Sequence, residues 1–207
     1  MTGPQTTAEG GPAPPRYLPF DNSNRSKRDV EQGYSFIRGN LTEDFAIVLI
    51  AFVPFSETPL LLALALLSFH LSLWVIYEAG YVDNDRMAVR HEVEPKVPKS
   101  FAQFDAIYKE PVAWIWAMGL ALPGAVLATY IGVPYLGALG WLAVLPILVI
   151  WAALLGALRG VYHVYNRIDK RSRVYLYLPL QLFKYGFGAV FFAPPATGVA
   201  MIAAQVM

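Results

Sequence analysis

Hydrophobic and polar positions along this chain fall in long blocks and do not alternate. Residues 1–33 are dense in Pro, Gly, Thr, Asn and Ser and contain no apolar run. Such a stretch buries too little apolar surface to offset the entropy of ordering it, so 1–35 reads as a disordered tail. Apolar blocks then follow. Phe45–Ser56 is uncharged but twelve residues long, about 18 Å of helix, and reaches bilayer length only when extended back through Phe36. The break Pro54-Phe55-Ser56-Glu57-Thr58-Pro59 reads as the turn of a helical hairpin, and Pro59–Tyr77 as its second arm. Pro111–Val133, Tyr135–Leu158 and Tyr185–Met207 carry no charge over 23 or 24 positions each. About 20 apolar residues span a bilayer, so the pattern predicts an all-α, polytopic integral membrane bundle of about five transmembrane helices over 36–207. A re-entrant hairpin over 45–77 is the rival for its start. Cytoplasmic loops are expected at 82–110 and 159–184.

Composition sharpens this picture. The 207 residues are 56% hydrophobic and 15% charged, with a mean hydropathy of +0.43, against about 25% charged in soluble domains. A soluble globular domain is excluded. Sixteen basic and fifteen acidic residues give +1, so charge makes no case for nucleic acid. The absence of Cys removes disulfides, thiol nucleophiles and Cys-ligated metals. With the amino terminus placed in the cytoplasm, all sixteen basic residues fall on one side of the five spans, and the outer turns at 54–59 and 132–136 hold none. That is the positive-inside pattern. It places the carboxyl terminus outside an inner or plasma membrane. Small residues four apart (Ala113, Ala117 and Ala121; Ala152, Gly156 and Gly160) allow close helix approach in lipid, within the bundle or with other membrane subunits. Pro123, Pro146 and Pro194-Pro195 are expected to kink three spans.

Polar chemistry concentrates in the two cytoplasmic segments. If the second helix continues past Tyr81, then His70, Trp74, Tyr77, Tyr81 and Asp85 share one face, with Glu78 beside it. An aromatic and polar stripe that ends in carboxylates suits a pocket for an amphiphile with an anionic head. Glu78 lies one turn from the apolar span, where a carboxylate needs a partner; Arg86 and Arg90 are the candidates. Asn84, Asp85, Glu92 and Asp83 offer hard oxygen ligands of the kind that hold Mg²⁺. The basic segment 159–173, with Arg167, Lys170 and Arg171, can grip phosphate oxygens, although positive-inside topology alone would place such residues there.

The order Asn84-Asp85-x-x-Ala88-x-x-x-Glu92 resembles the N-D-x-x-D-x-x-x-D motif of the UbiA-type membrane prenyltransferases, over about residues 36–100. Ala88 departs from that motif at its middle Asp. The resemblance implies a magnesium-dependent transferase acting on a polyprenyl phosphate or diphosphate, moving a prenyl or phosphoribosyl group. Asn84, Asp85 and Glu92 would hold the metal and Asp83 would support them. His70, Tyr77, Glu78, Tyr81, Arg167, Lys170 and Arg171 would contact substrate. Members of that family have about nine spans and a second Asp-rich loop. This chain is shorter, and its second loop has only Asp169. A non-catalytic membrane subunit or lipid-binding scaffold is the alternative reading.

Overall fold

The computed structural model of the chain describes residues 17–20, 39–95, 97, 101–169, 171–193 and 195–207. It is helical, with no strand among those residues. A π-helical turn, Asn40–Asp44, leads into α1 (Phe45–Phe52) and a short 3₁₀ turn, Val53–Phe55. The helices α2 (Pro59–His91), α3 (Phe101–Ile107), α4 (Glu110–Ile131), α5 (Val144–Tyr165), α6 (Val174–Gly186) and α7 (Ala196–Val206) follow. Three segments are long and apolar enough to cross a membrane: α2, α4 and 137–165, which contains α5.

Five uninterrupted spans are not what forms. The first expected span is described from residue 39 to 55 as a short continuous run of π, α and 3₁₀ turns, and Pro54 sits in the 3₁₀ turn that ends it. The last, over 185–207, is interrupted. Helix α6 ends at Gly186, a 3₁₀ turn covers Phe187–Val190, and α7 restarts after Pro195. Uniform hydropathy hid this break, because glycine and proline act on backbone geometry and leave hydropathy almost unchanged. The expected 1–35 tail lies outside the described residues except for Tyr17–Phe20. Phe20 is buried with its ring 5.2 Å from Trp74, and the Tyr17 hydroxyl accepts a hydrogen bond from the Lys109 amide at 2.8 Å.

Helix α2 runs without interruption to His91, so residues 82–91 are helix and not loop. Its 33 residues make about 50 Å of rod, longer than the hydrocarbon layer. The polar end is held by tertiary ion pairs: Arg86 to Asp105 at 2.5 Å, and Arg159 to both Asp83 (3.4 Å) and Glu110 (2.7 Å). This last triad ties the end of α2 to the start of α4 and the end of α5. Those three helices therefore alternate in direction, and their basic residues collect at one end.

The core seam lies between α2 and α4. Ala113, Ala117, Ala121, Ala125 and Ala128 are all buried on one face of α4, as their spacing predicts. Pro123 lacks the backbone donor that would reach the Gly119 carbonyl, and α2 contacts the next pair along. The Ser68 hydroxyl accepts from the Gly124 amide (2.7 Å) and donates to the Leu120 carbonyl (2.5 Å), bridging that pair. A Cβ at Gly124 would lie 2.9 Å from that hydroxyl, so glycine permits the approach. One turn along, Ser72 donates to the Ala117 carbonyl at 2.7 Å and accepts from Trp151 Nε1 at 2.8 Å, which adds α5 to the seam. Two expectations change. Pro146 sits in the first turn of α5, where no intrahelical donor is missed; Pro194 lies outside the described residues. Gly156 and Gly160 have nothing within 4 Å of an added Cβ, so within this chain that stripe packs against no helix.

Candidate functional site

The stripe on α2 forms as a continuous aromatic ladder. Ring centroids step from His70 to Trp74 at 6.3 Å, to Tyr77 at 4.7 Å and to Tyr81 at 5.4 Å. Tyr162 of α5 packs edge-on against Tyr77 (4.9 Å) and Tyr81 (6.1 Å). Gly80 makes room for it, because a Cβ there would overlap the Tyr162 ring.

Beside this ladder, α2, α5 and α6 enclose a cavity of 410 Å³. Tyr77, Tyr81 and Asn84 face it from α2, Tyr162, Tyr165 and Asn166 from the end of α5, and Tyr177, Gln181 and Lys184 from α6, with Arg173 at the rim. No carboxylate lines it among the described residues. An adjoining cavity of 320 Å³ shares Asn84, Asn166 and Arg173, and adds His91, Glu92, Arg167 and Asp169. Arg173 stacks on Tyr165, 5.4 Å from the ring centre. It donates to two backbone carbonyls, Ile168 at 3.4 Å and Asn166 at 3.5 Å. At the rim, hydrogen bonds from Ser172, and then from the Arg171 amide, hold the Asp169 carboxyl below its ordinary range, so it is ionised at neutral pH.

At the deep end lies a polar cluster drawn from four elements. His70 Nε2 bonds to Asn40 Oδ1 (2.8 Å), and Asn40 Nδ2 donates to Asp44 (3.0 Å). Lys184 pairs with Asp44 at 2.6 Å, while the Tyr185 hydroxyl donates to the same carboxylate at 2.7 Å. Gln205 of α7 donates to the Tyr185 oxygen at 3.4 Å. The Lys184 ammonium also lies 5.8 Å from the centre of the Trp74 ring. Charge at this depth is tolerated because it is paired and hydrogen-bonded.

The residues expected to contact substrate divide accordingly. Tyr77 and Tyr81 line the tyrosine cavity. His70 is held in the deep cluster. Glu78 faces a separate crevice beneath Tyr17 and Tyr108, about 100° around the helix from Tyr77, and Arg86 is paired with Asp105. Arg167 lines the outer cavity and lies 3.7 Å from Asp83. Arg171 lines neither cavity, and Lys170 lies outside the described residues. The four expected metal ligands do not converge. Asn84 and Glu92 face the outer cavity, Asp85 is buried and lines neither cavity, and Asp83 is engaged by Arg159. Among the described residues no group of three or more His, Asp or Glu side chains is placed to hold a metal ion.

No protein-family model matches this chain, and no curated protein or solved structure matches it. The site is therefore read from its own chemistry. Sequence reasoning reached Arg173 only as part of the basic segment 159–173, and it passed over Tyr162, Tyr165, Asn166, Tyr177, Gln181 and Lys184. A signal was present: 162, 165 and 166, and 177, 181 and 184, are helical face spacings.

Proposed function

We propose that this chain is an integral membrane protein that binds the head of an anionic amphiphile, a polyprenyl-phosphate-type lipid, in the cavity between α2, α5 and α6. One observation carries the reading: an aromatic, hydroxyl-rich cavity with Arg173 in its wall, Lys184 shared with Asp44, and no carboxylate among its described lining residues. Arginine and lysine supply donors and charge for phosphate oxygens, and tyrosines suit the boundary between headgroups and hydrocarbon. In this reading α2, α4 and α5 span the membrane with the basic end in the cytoplasm. Helix α6 and the turn after it make a fourth crossing, since the Tyr135 hydroxyl on the opposite side donates to the Val190 carbonyl. The segments 40–55 and α7 enter from the outer side and stop at the Asp44 cluster.

Binding without catalysis is the simpler role, that of a lipid-binding subunit. The transferase reading keeps one observation in its favour, that Asn84 and Glu92 line one cavity beside Arg167. The test is native mass spectrometry of the purified full chain with a polyprenyl phosphate and with the matching polyprenol. Retention of the phosphate alone is expected, and Arg173→Gln should weaken it by about 10-fold or more, the loss of one charge-assisted hydrogen bond. Equal retention of the neutral polyprenol refutes headgroup binding. Retention that rises with Mg²⁺ and falls in Glu92→Gln moves the assignment to the transferase.

A further inference from the structure

The wall shared by the two cavities holds one buried polar atom that has no partner among the described residues. Asn166 is 2% exposed. Its Nδ2 donates to the Gly80 carbonyl at 2.9 Å, which fixes the orientation of the amide, because only the NH₂ group can face a carbonyl. Oδ1 is thereby set as an acceptor. It is buried and has no hydrogen-bond partner among the described residues, although Asn166 lies on the wall shared by both cavities. A buried amide oxygen left without a donor is costly, and a phosphate ester without a free hydroxyl brings none. The Arg173 guanidinium lies 3.5 Å from the backbone oxygen of the same residue, so the cation and the unpartnered amide share one stretch of the wall.

We propose that the ligand is a phosphate ester that also carries a hydroxyl group, with its phosphate at Arg173 and its hydroxyl donating to Asn166 Oδ1. The tyrosine hydroxyls of the same cavity serve further hydroxyls of such a group. This rests on the headgroup-binding reading above and narrows it to a polyol phosphate of the glycerol phosphate kind, either as a lipid head or as a free ester.

Two lipids of equal charge isolate the hydroxyl: phosphatidylglycerol and phosphatidylmethanol, with identical acyl chains. Titrated onto the full chain in nanodiscs of phosphatidylcholine, phosphatidylglycerol should bind about 10-fold more tightly, the worth of one satisfied buried acceptor. Asn166→Leu should bring it down to the phosphatidylmethanol level, and Arg173→Gln should weaken both lipids. Soluble glycerol 1-phosphate is the competitor: displacement of the lipid assigns the site to the free ester, and no displacement assigns it to the lipid. Equal binding of the two lipids to the unaltered protein overturns the hydroxyl inference and leaves headgroup binding standing. Binding of neither lipid above phosphatidylcholine overturns both. The comparison on the unaltered chain holds even if Asn166→Leu proves unstable.

Discussion

Replacing Gly80 by alanine puts a methyl group where the Tyr162 ring already is. The ideal Cβ position lies 2.6 Å from both Cδ atoms of that ring, far inside the roughly 3.5–4.0 Å of a carbon contact. The ring has nowhere to retreat, because it is 3% exposed and packed against Tyr77, Tyr81 and Tyr165. Overpacking of this kind costs about 1–3 kcal/mol. Against it stands the helix-propensity gain of Gly→Ala, about 1 kcal/mol, leaving a net loss of about 0–2 kcal/mol. Gly160→Ala is the matched control. It lies in α5 with open space around its Cβ, so it keeps the gain and incurs no clash. The two variants should therefore differ by about 1–3 kcal/mol. Reversible unfolding in mixed micelles, followed by tryptophan fluorescence, measures that difference. If Gly80→Ala matches or exceeds Gly160→Ala in stability, Tyr162 does not pack on α2 as described, and the cavity wall is wrong with it.

Ser72→Ala should destabilise the same fold by about 1–3 kcal/mol, because it leaves the buried Trp151 indole N–H without an acceptor; the same unfolding assay reads it. Burial, the largest influence, raises the Tyr108 phenol above its ordinary value, and its buried hydroxyl has no hydrogen-bond partner among the described residues. The unfolded chain then loses this proton first, so the stability linked to Tyr108 is complete below about pH 10 and is lost as pH rises further. Tyr108→Phe should flatten that loss in unfolding midpoints measured against pH. Reporters inserted after Glu94 and within the 137–141 turn should register opposite sides of the membrane; the same side for both removes α4 as a span.

What the sequence showed depended on the range of the forces involved. The α2 stripe and the α4 alanine face were legible because one helical period places their members, and both faces formed. The continuation of α2 to His91 was only a condition in the sequence. What holds that end, Arg159 with Asp83 and Glu110, joins residues 49 and 76 positions apart. The interrupted carboxyl-terminal segment was hidden by its uniform hydropathy, and the Asn84–Asp85–Glu92 spacing promised a convergence that the helix does not make. Consecutive residues point about 100° apart, so Asn84 faces the cavity and Asp85 does not. Helical spacing could place Asn166 on the face of Tyr162 but could not show its role. Its importance lies in a hydrogen bond to a carbonyl 86 positions away, and in the oxygen that this bond leaves over.

The serine bridges across the α2–α4 seam also have a mechanical side. Ser68 and Ser72 each join the two helices through short hydrogen bonds to backbone, and Trp151 extends the lock to α5. Sliding any of these three helices past another breaks several buried bonds at once, so they behave as one rigid plate. A guest entering the tyrosine cavity must then be admitted by its third wall. Helix α6 differs from those three: its outer flank holds the exposed Tyr175, Leu178 and Leu182, and its far end is pinned at Lys184 and Tyr185. With its far end pinned at the Asp44 cluster and its basic end tied to α5, among the described residues, only by Arg173, α6 is the wall where widening the cavity breaks the fewest buried bonds.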